Sequence, residues 1–379
     1  FCSREKLFVQ HQNILIIGGG IGGLTSAIAL RRDGHDVTVI EKDPNWAVYG
    51  VGIIQQGNVI RAVKELGIID LYLDAGFGFD FVEVFSPSGQ KLARIPAPRL
   101  VEDYPANVGI GRRALHTVLG ECAKKSGADV RLGITADELE DYGERVTVRF
   151  SDGSSQLFNI VIGADGLYSR TREQLFPAAP KPQFTGQSVW RYNFKRPVEL
   201  DSLQAYEGRI GVGLVPLSTD LMYMFVTTPE PDNPRYEVEG LAAAMRSKLE
   251  GMPAAITNLA EQITDDAAVV YKPLETQFIS GAWHNGRTVL IGDAVHATTP
   301  HLGQGAGMAI EDSIVLAEEI ARAESPEAAF TAYRARRFER CKFIVETSLS
   351  LCRSQLGTGA AVEQAAATQS MFEVVAKPI

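Results

Sequence analysis

The sequence predicts an α/β chain in which a parallel-sheet domain is interrupted by a mixed β-sheet and closed by a long C-terminal helix. Three observations carry that prediction. An apolar run, Asn13 to Ile17, leads into Gly18-Gly19-Gly20-Ile21-Gly22-Gly23 and then into helix-forming residues. Two later apolar runs, Ile160 to Ile162 and Thr288 to Ile291, each pass into a small residue and an aspartate, as Gly163-Ala164-Asp165 and Gly292-Asp293. Between about Thr171 and Leu274 the pattern becomes short alternating runs separated by Pro and Gly.

Length and composition bound the answer. A chain of 379 residues exceeds a typical single domain. With 45% apolar and 22% charged residues it is globular, which excludes disordered, collagenous and coiled-coil classes. A formal charge of -9 repels phosphate backbones, so no nucleic-acid partner is expected. No apolar run approaches the roughly 20 residues that cross a bilayer, so no membrane span is expected. Phe1 to Arg4 is not followed by an apolar stretch before His11, so no signal peptide is expected. Cys2, Cys122, Cys341 and Cys352 show no paired spacing, which fits a reducing, cytoplasmic setting. The six histidines lack ligand spacing, so no metal site is expected.

The first element is a dinucleotide fingerprint. Gly18, Gly20 and Gly23 satisfy G-x-G-x-x-G: a tight turn, a close backbone approach to pyrophosphate, and close packing of helix on strand. The helix start behind them offers unpaired N–H groups and a positive dipole end. A second strand, Asp36 to Ile40, ends in Glu41, placed to accept from ribose hydroxyls and to repel a 2′-phosphate. The tight ligand is therefore FAD or NAD rather than NADP. Gly109-Ile110-Gly111-Arg112-Arg113-Ala114 also reads G-x-G-x-x-A, but its strand is short and follows Pro105, and no acid-ended strand comes after it. It is rejected as a second dinucleotide site.

The two later strands decide between FAD and NAD. Asp165-Gly166 is followed by Ser169, Arg170 and Arg172. Gly292-Asp293 continues through His296 and Pro300-His301 into Gly303-Gln304-Gly305-Ala306-Gly307 before a helix from Met308 to Arg322. Together with the fingerprint, these motifs resemble the class A (single-component) FAD-dependent aromatic hydroxylases, including salicylate, 3-hydroxybenzoate, 6-hydroxynicotinate and urate hydroxylases. The resemblance covers nearly the whole chain. It implies a Rossmann-like, p-hydroxybenzoate-hydroxylase-like FAD domain interrupted by a substrate domain.

Carried onto this sequence, the resemblance gives Gly18, Gly20, Ile21, Gly22, Gly23, Glu41 and Lys42 to the ADP half of FAD. Arg112, in R-x-x-L with Leu115, contacts the flavin chain. Asp165 and Gly166 match the D-G motif associated with both FAD and nicotinamide. Gly292 and Asp293 match the G-D motif at the ribityl chain. Pro300, Gly303, Gly305, Ala306 and Gly307 match the loop against the isoalloxazine, and Gly52 and Ile53 the segment on the ring's other side. Two positions depart from the family: Asn159 stands for its usual Asp, and Gly57-Asn58 for its Pro-Asn.

The expected organisation is FAD-domain segments 1–79, 103–172 and 276–379, substrate-side strands at 80–102, and a substrate sheet at 173–275. Within that sheet, strands are read at Val189 to Phe194, Gly208 to Val215 and Leu221 to Thr227, with a helix from Val238 to Leu249. A long helix from Pro326 to Cys352 is expected to expose Arg334, Arg336, Arg337 and Arg340, and the Ala-rich tail from Gly357 is read as helical or frayed. His35 is read as a surface residue.

The resemblance implies hydroxylation of a small aromatic or N-heteroaromatic ring, phenolic or anionic, with O2 and NADH or NADPH through a flavin C4a-hydroperoxide. No metal is required, because the flavin carries the hard chemistry. The protein must exclude water, spread charge on the reduced flavin and move a substrate proton. Candidates for the last task are His296, His301, Arg191, Tyr192, Tyr223 and Tyr49, with Pro300 beside the ring. Arg191 is expected to pair with a substrate carboxylate. The competing reading is a flavin oxidase or reductase acting on a non-aromatic substrate. A halogenase is disfavoured because Trp46, Trp190 and Trp283 form no W-x-W pair. A module that merely stores FAD fits poorly with a second, polar-lined domain. The assembly is expected to be a monomer or homodimer.

Overall fold

A computed structural model describes residues 11–379. The reading of Phe1 to Arg4, and Cys2, therefore lie outside the described residues. The main sheet has six strands in the order His284–Asn285, Thr288–Leu290, Ile160–Gly163, Asn13–Ile17, Asp36–Glu41 and Asp129–Leu132. All neighbours pair in parallel except the short hairpin at His284–Asn285. Ile14, Leu15 and Ile16 are fully buried, as a central parallel strand covered on both faces requires. On one face the helix Ile21–Arg32 packs with the helix Gly305–Arg322, and on the other a three-stranded antiparallel sheet buries Val146, Val148 and Phe158 against Leu15 and Ile17.

Register decides where the motifs emerge. Ile17 pairs with Gly163, and Gly163 pairs with Leu290. Three neighbouring strands thus end level with one another, and the Gly18, Asp165 and Asp293 loops leave the same edge side by side. The carboxyl edge of a parallel sheet is where such folds bind ligands.

A seven-stranded sheet forms the second layer, in the order Val270–Thr276, Gln183–Lys195, Leu221–Pro229, Gly211–Pro216, Leu203–Tyr206, Phe81–Phe85 and Lys91–Pro96. Period-two alternation gives it two different faces. Trp190, Tyr192, Phe194 and Met224 turn into a core with the helices Leu241–Lys248 and Ala254–Ala260. Arg191, Tyr223 and Phe225 occupy the opposite face: Arg191 lies across from Phe225, and Asn193 from Tyr223. The strands read from sequence are present with longer or shifted bounds, and the Val238 helix begins at Leu241.

The rejected second glycine motif sits in its own antiparallel sheet, where Asn107–Gly111 lies between Gly52–Gln56 and Gly76–Phe79. That pairing makes no βαβ unit. The long helix runs Pro326–Leu356, with Ser325 accepting from the Ala328 N–H as its N-cap and Gly357 ending it at φ +70°. The tail forms a further helix, Gln364–Ala376. Arg61 donates to the carbonyls of Val375, Ala376 and Lys377, and Arg340 to those of Lys377 and Pro378, satisfying carbonyls at the helix end that lack intrahelical partners.

Two surface readings are corrected. His35 is fully buried, its Nδ1 accepting from the Gln12 N–H at 3.2 Å. Arg337 is 0% exposed, and the side chains of Arg336 and Arg340 are largely buried. These arginines pair with Glu311, Asp312, Glu318 and Glu319 of the Gly305–Arg322 helix rather than with water.

Candidate active site

Backbone sterics force the glycine loop into its shape. Gly18 has φ +112°, and a Cβ there would meet the Ala164 carbonyl oxygen at 2.4 Å. A Cβ on Gly23 would come 1.9 Å from the Gly18 oxygen. A Cβ on Gly22 would lie 3.3 Å from Ala309 Cβ, so this loop also packs closely on the Gly305–Arg322 helix. Gly20 is the contrast, since a Cβ there meets nothing within 4 Å. No side chain among the described residues caps the helix that Gly20 starts, so its first-turn N–H groups have no side-chain acceptor.

Glu41 accepts from the Gly19 N–H through one oxygen and from the Asp43 N–H through the other, both at 2.9 Å. The Gly19 carbonyl takes Trp46 Nε1 at 2.8 Å and lies 2.9 Å from His116 Nε2. Trp46 and His116 went unread in the sequence, because nothing local marks a tryptophan five residues past Glu41 as a brace for the glycine loop.

The second loop is held by its own aspartate. Asp165 accepts from Ser169 Oγ at 2.5 Å and from the N–H and Oγ1 of Thr171, both at 3.0 Å. Gly166 turns the chain at φ +77°. Arg172 then donates to the Leu167 and Ala294 carbonyls at 2.8 and 3.0 Å, bridging the second and third loops. The family's usual Asp at position 159 is replaced by an Asn whose side-chain oxygen accepts from the Asn13 N–H at 2.9 Å, tying the strand starts together.

At the third loop Gly292 has φ +60° and donates its N–H to Asp312 Oδ2 at 2.9 Å. Asp293 follows, solvent-accessible but ringed by protein. That enclosure pushes its carboxyl pKa up, against the pull of His296 and Arg112. Pro300 begins a 3-10 turn that ends at Gly303, φ +67°, and the next helix starts at Gly305 with no side-chain cap among the described residues. Gln304 anchors that start through a reciprocal amide pair with Asn58, at 3.0 and 3.1 Å, and a bond to Gln56. Asn58, in the pair that departs from the family, therefore positions the Gly303–Gly307 segment.

The residues proposed from sequence separate into groups. Arg112, Arg191, Tyr223, Tyr49 and Asp293 share one electrostatic neighbourhood. Arg191 is enclosed and lowered to about 10 by burial and by Arg112, and among the described residues no carboxylate pairs with it. Tyr223 is pushed up to about 12 by burial and stays a phenol. Its ring lies where a Gly52 Cβ would come 2.3 Å from Cδ1, so residue 52 must be glycine for the two sheets to meet. Lys42 is exposed, and Tyr49 is exposed with Lys272 Nζ 4.4 Å from its ring centroid. Tyr192 belongs to the core on the far side of its sheet.

The two histidines differ from their reading as bases. His296 is 0% exposed, with Nε2 2.7 Å from Asp312 Oδ2 and the ring against Trp283. The single helical turn Asp293–His296 carries its ring away from the cleft, so it cannot reach a substrate. His301 lines a cavity, but its Nδ1 lies 2.9 Å from Thr299 Oγ1 and its Nε2 3.1 Å from Gln355 Oε1. Burial lowers it to about 4, so it is a neutral ring with both nitrogens engaged. The cavity, about 490 Å³, lies between the seven-stranded sheet, the Pro300–Gly303 turn and the C-terminal helices.

The glycine cradle, the unfilled space at Gly20 and the two aspartate loops fit a flavin dinucleotide, and comparison with known proteins settles the class. The family described as FAD binding domain matches residues 11–348. The chain belongs to the class A FAD-dependent monooxygenases. Aurachin C monooxygenase/isomerase of Stigmatella aurantiaca is 31% identical over 343 residues, 88% of this chain and 87% of the relative. The 6-hydroxynicotinate 3-monooxygenase of Pseudomonas fluorescens is 30% identical over 360 residues, 89% and 91% of the two chains. Klebsiella pneumoniae HpxO, solved with FAD and uric acid, superposes with a TM-score of 0.84 at 25% identity, covering 97% of this chain and 94% of that one. This monooxygenase is therefore an FAD enzyme of α/β architecture. No helix among its described residues is long and apolar enough to cross a membrane.

Proposed function

We propose that this enzyme hydroxylates an aromatic or N-heteroaromatic ring with O2 and a reduced nicotinamide. The observation that carries the reading is the junction itself. Three loops whose shape suits a dinucleotide leave one sheet edge, and the Pro300–Gly303 turn that leads into the uncapped helix start at Gly305 lines a separate cavity wide enough for a ring. Relatives named for 6-hydroxynicotinate and 3-hydroxybenzoate, and a structural neighbour holding uric acid, support a ring substrate.

FAD, when bound, supplies the oxygen activation. The chain does the rest. N–H groups at Gly20–Gly23 would hold the pyrophosphate, Glu41 would accept from ribose, and Asp293 and Arg112 would hold the polar chain. The helix start at Gly305 would offer partial positive charge to the flavin ring. Tyr223, as a phenol, can donate a hydrogen bond but cannot serve as a base near neutral pH. Pro300 shapes the turn, and the roof over the cavity excludes water.

The test is NADH or NADPH oxidation by the yellow holoenzyme against a panel of phenols, aromatic acids, hydroxypyridines and hydroxyquinolines. Stimulated oxidation with a product heavier by one oxygen supports the proposal. Peroxide release without oxygenated product across the panel favours an oxidase acting on a different substrate.

A further inference from the structure

We propose that the substrate is a neutral, oxygen-bearing ring carrying an apolar arm, and that the arm lies in a tunnel across the seven-stranded sheet. This rests on the monooxygenase reading above and names its substrate class. The cavity is floored by Phe225 and Thr227, then Gly211, then Leu203 and Ala205, then Val82 and Val84, and finally Ile95. Those residues come from five successive neighbouring strands. At about 4.8 Å between strands, four steps give a floor roughly 19 Å long. A single aromatic acid fills only a fraction of that.

The lining fits an apolar occupant. Among the described residues no Lys or Arg reaches the cavity wall, while Glu207 and Glu363 do, so a substrate carboxylate finds no partner there. Arg191, expected to hold such a carboxylate, is absent from the lining and faces Arg112 and Tyr223 instead. The last two helices roof the space with Leu351, Met371 and Phe372, beside the neutral side chains of Gln355, Thr368 and Gln369.

One buried donor near the Pro300 turn lacks a partner. Asn107 is 3% exposed and lines the cavity, and its Nδ2 has no hydrogen-bond partner. It pairs in register with Gln56, whose Nε2 donates to the Leu302 carbonyl at 3.2 Å. A buried amide donor without a partner is costly, and a ring carbonyl or hydroxyl oxygen supplies the missing acceptor. The substrate oxygen thus pairs with Asn107 while the arm follows the apolar floor.

The experiment titrates holoenzyme with 2-alkyl-4-hydroxyquinolines and 4-alkylphenols of increasing chain length, reading Kd from the shift of the flavin visible spectrum. Kd is expected to fall about fourfold per methylene until the tunnel is full, as burial of each CH2 dictates. Ala205→Trp should abolish that dependence and weaken the long-chain compounds far more than the unsubstituted ring. Val84→Phe, one strand over, serves if the first variant loses its flavin. Asn107→Leu should weaken every ring compound without altering the slope. Kd independent of chain length, tighter binding of salicylate than of any alkyl compound, or equal binding of decanoate, which has no ring, would each overturn the proposal. Binding with the expected slope but no oxygenated product would leave the tunnel standing and remove the hydroxylation reading instead.

Discussion

His296 Nε2 lies 2.7 Å from Asp312 Oδ2, with both side chains wholly buried. The same carboxylate accepts from the Gly292 N–H and from Arg337 Nε. One residue of the Gly305–Arg322 helix therefore ties together the turn before Asp293, the single helical turn after it and the long C-terminal helix. Removing that charge leaves a buried guanidinium and imidazolium short of a partner. Asp312→Asn is expected to cost about 3–5 kcal/mol, the scale for breaking a buried ion pair. Urea unfolding of the holoenzyme reads it directly, and flavin content should fall with stability.

Asp293 feels the charges of His296 and Asp312 but opens onto the cleft. Asp293→Ala should yield folded protein that loses its flavin on gel filtration. Glu41→Ala should weaken FAD more mildly, because the Gly19 and Asp43 N–H groups lose a shared acceptor while the rest of the cradle remains. Flavin absorbance per protein, set against far-UV circular dichroism, separates lost binding from lost folding.

Two glycines of one motif should respond in opposite ways. Gly23→Ala places a Cβ 1.9 Å from the Gly18 oxygen and should prevent the loop from forming. Gly20→Ala meets nothing in the protein, so it should fold with nearly unchanged stability and lose FAD affinity because the added methyl occupies the pyrophosphate's approach. Thermal melts of the apoproteins and FAD titrations discriminate the pair.

Acid sensitivity follows from two histidines. His35 and His301 are each lowered to about 4, chiefly by burial, while the unfolded side chains titrate near 6.5. Between those values only the unfolded state takes up the protons. Their contribution is therefore complete above pH 6.5 and lost as pH falls toward 4. His296 is raised, so its contribution is present below 6.5 and fades as pH rises through its folded value. Melting temperature should drop across pH 6.5 to 4, and His301→Gln should flatten that slope.

What the sequence made legible was local. The Gly18–Gly23 turn, the two strands ending in Asp165 and Asp293, and the Pro326 helix all announce themselves within a dozen residues, by apolar run, glycine and cap. What it hid was tertiary pairing. Arg337 reads as a solvated residue because Glu311 and Asp312 lie a whole helix upstream. His296 follows Asp293 closely in sequence, yet one helical turn points it the other way. The cavity wall is assembled from strands near residues 82, 95, 205 and 225 and a terminal helix, so no single stretch carries its pattern.

The most direct measurement is turnover under 18O2 with a ring compound that stimulates nicotinamide oxidation. One labelled oxygen is expected in the organic product of a ring compound whose oxidation is coupled to that of the reduced nicotinamide. Unlabelled hydroxylated product, or peroxide alone with every ring compound offered to the unaltered enzyme, would contradict that expectation.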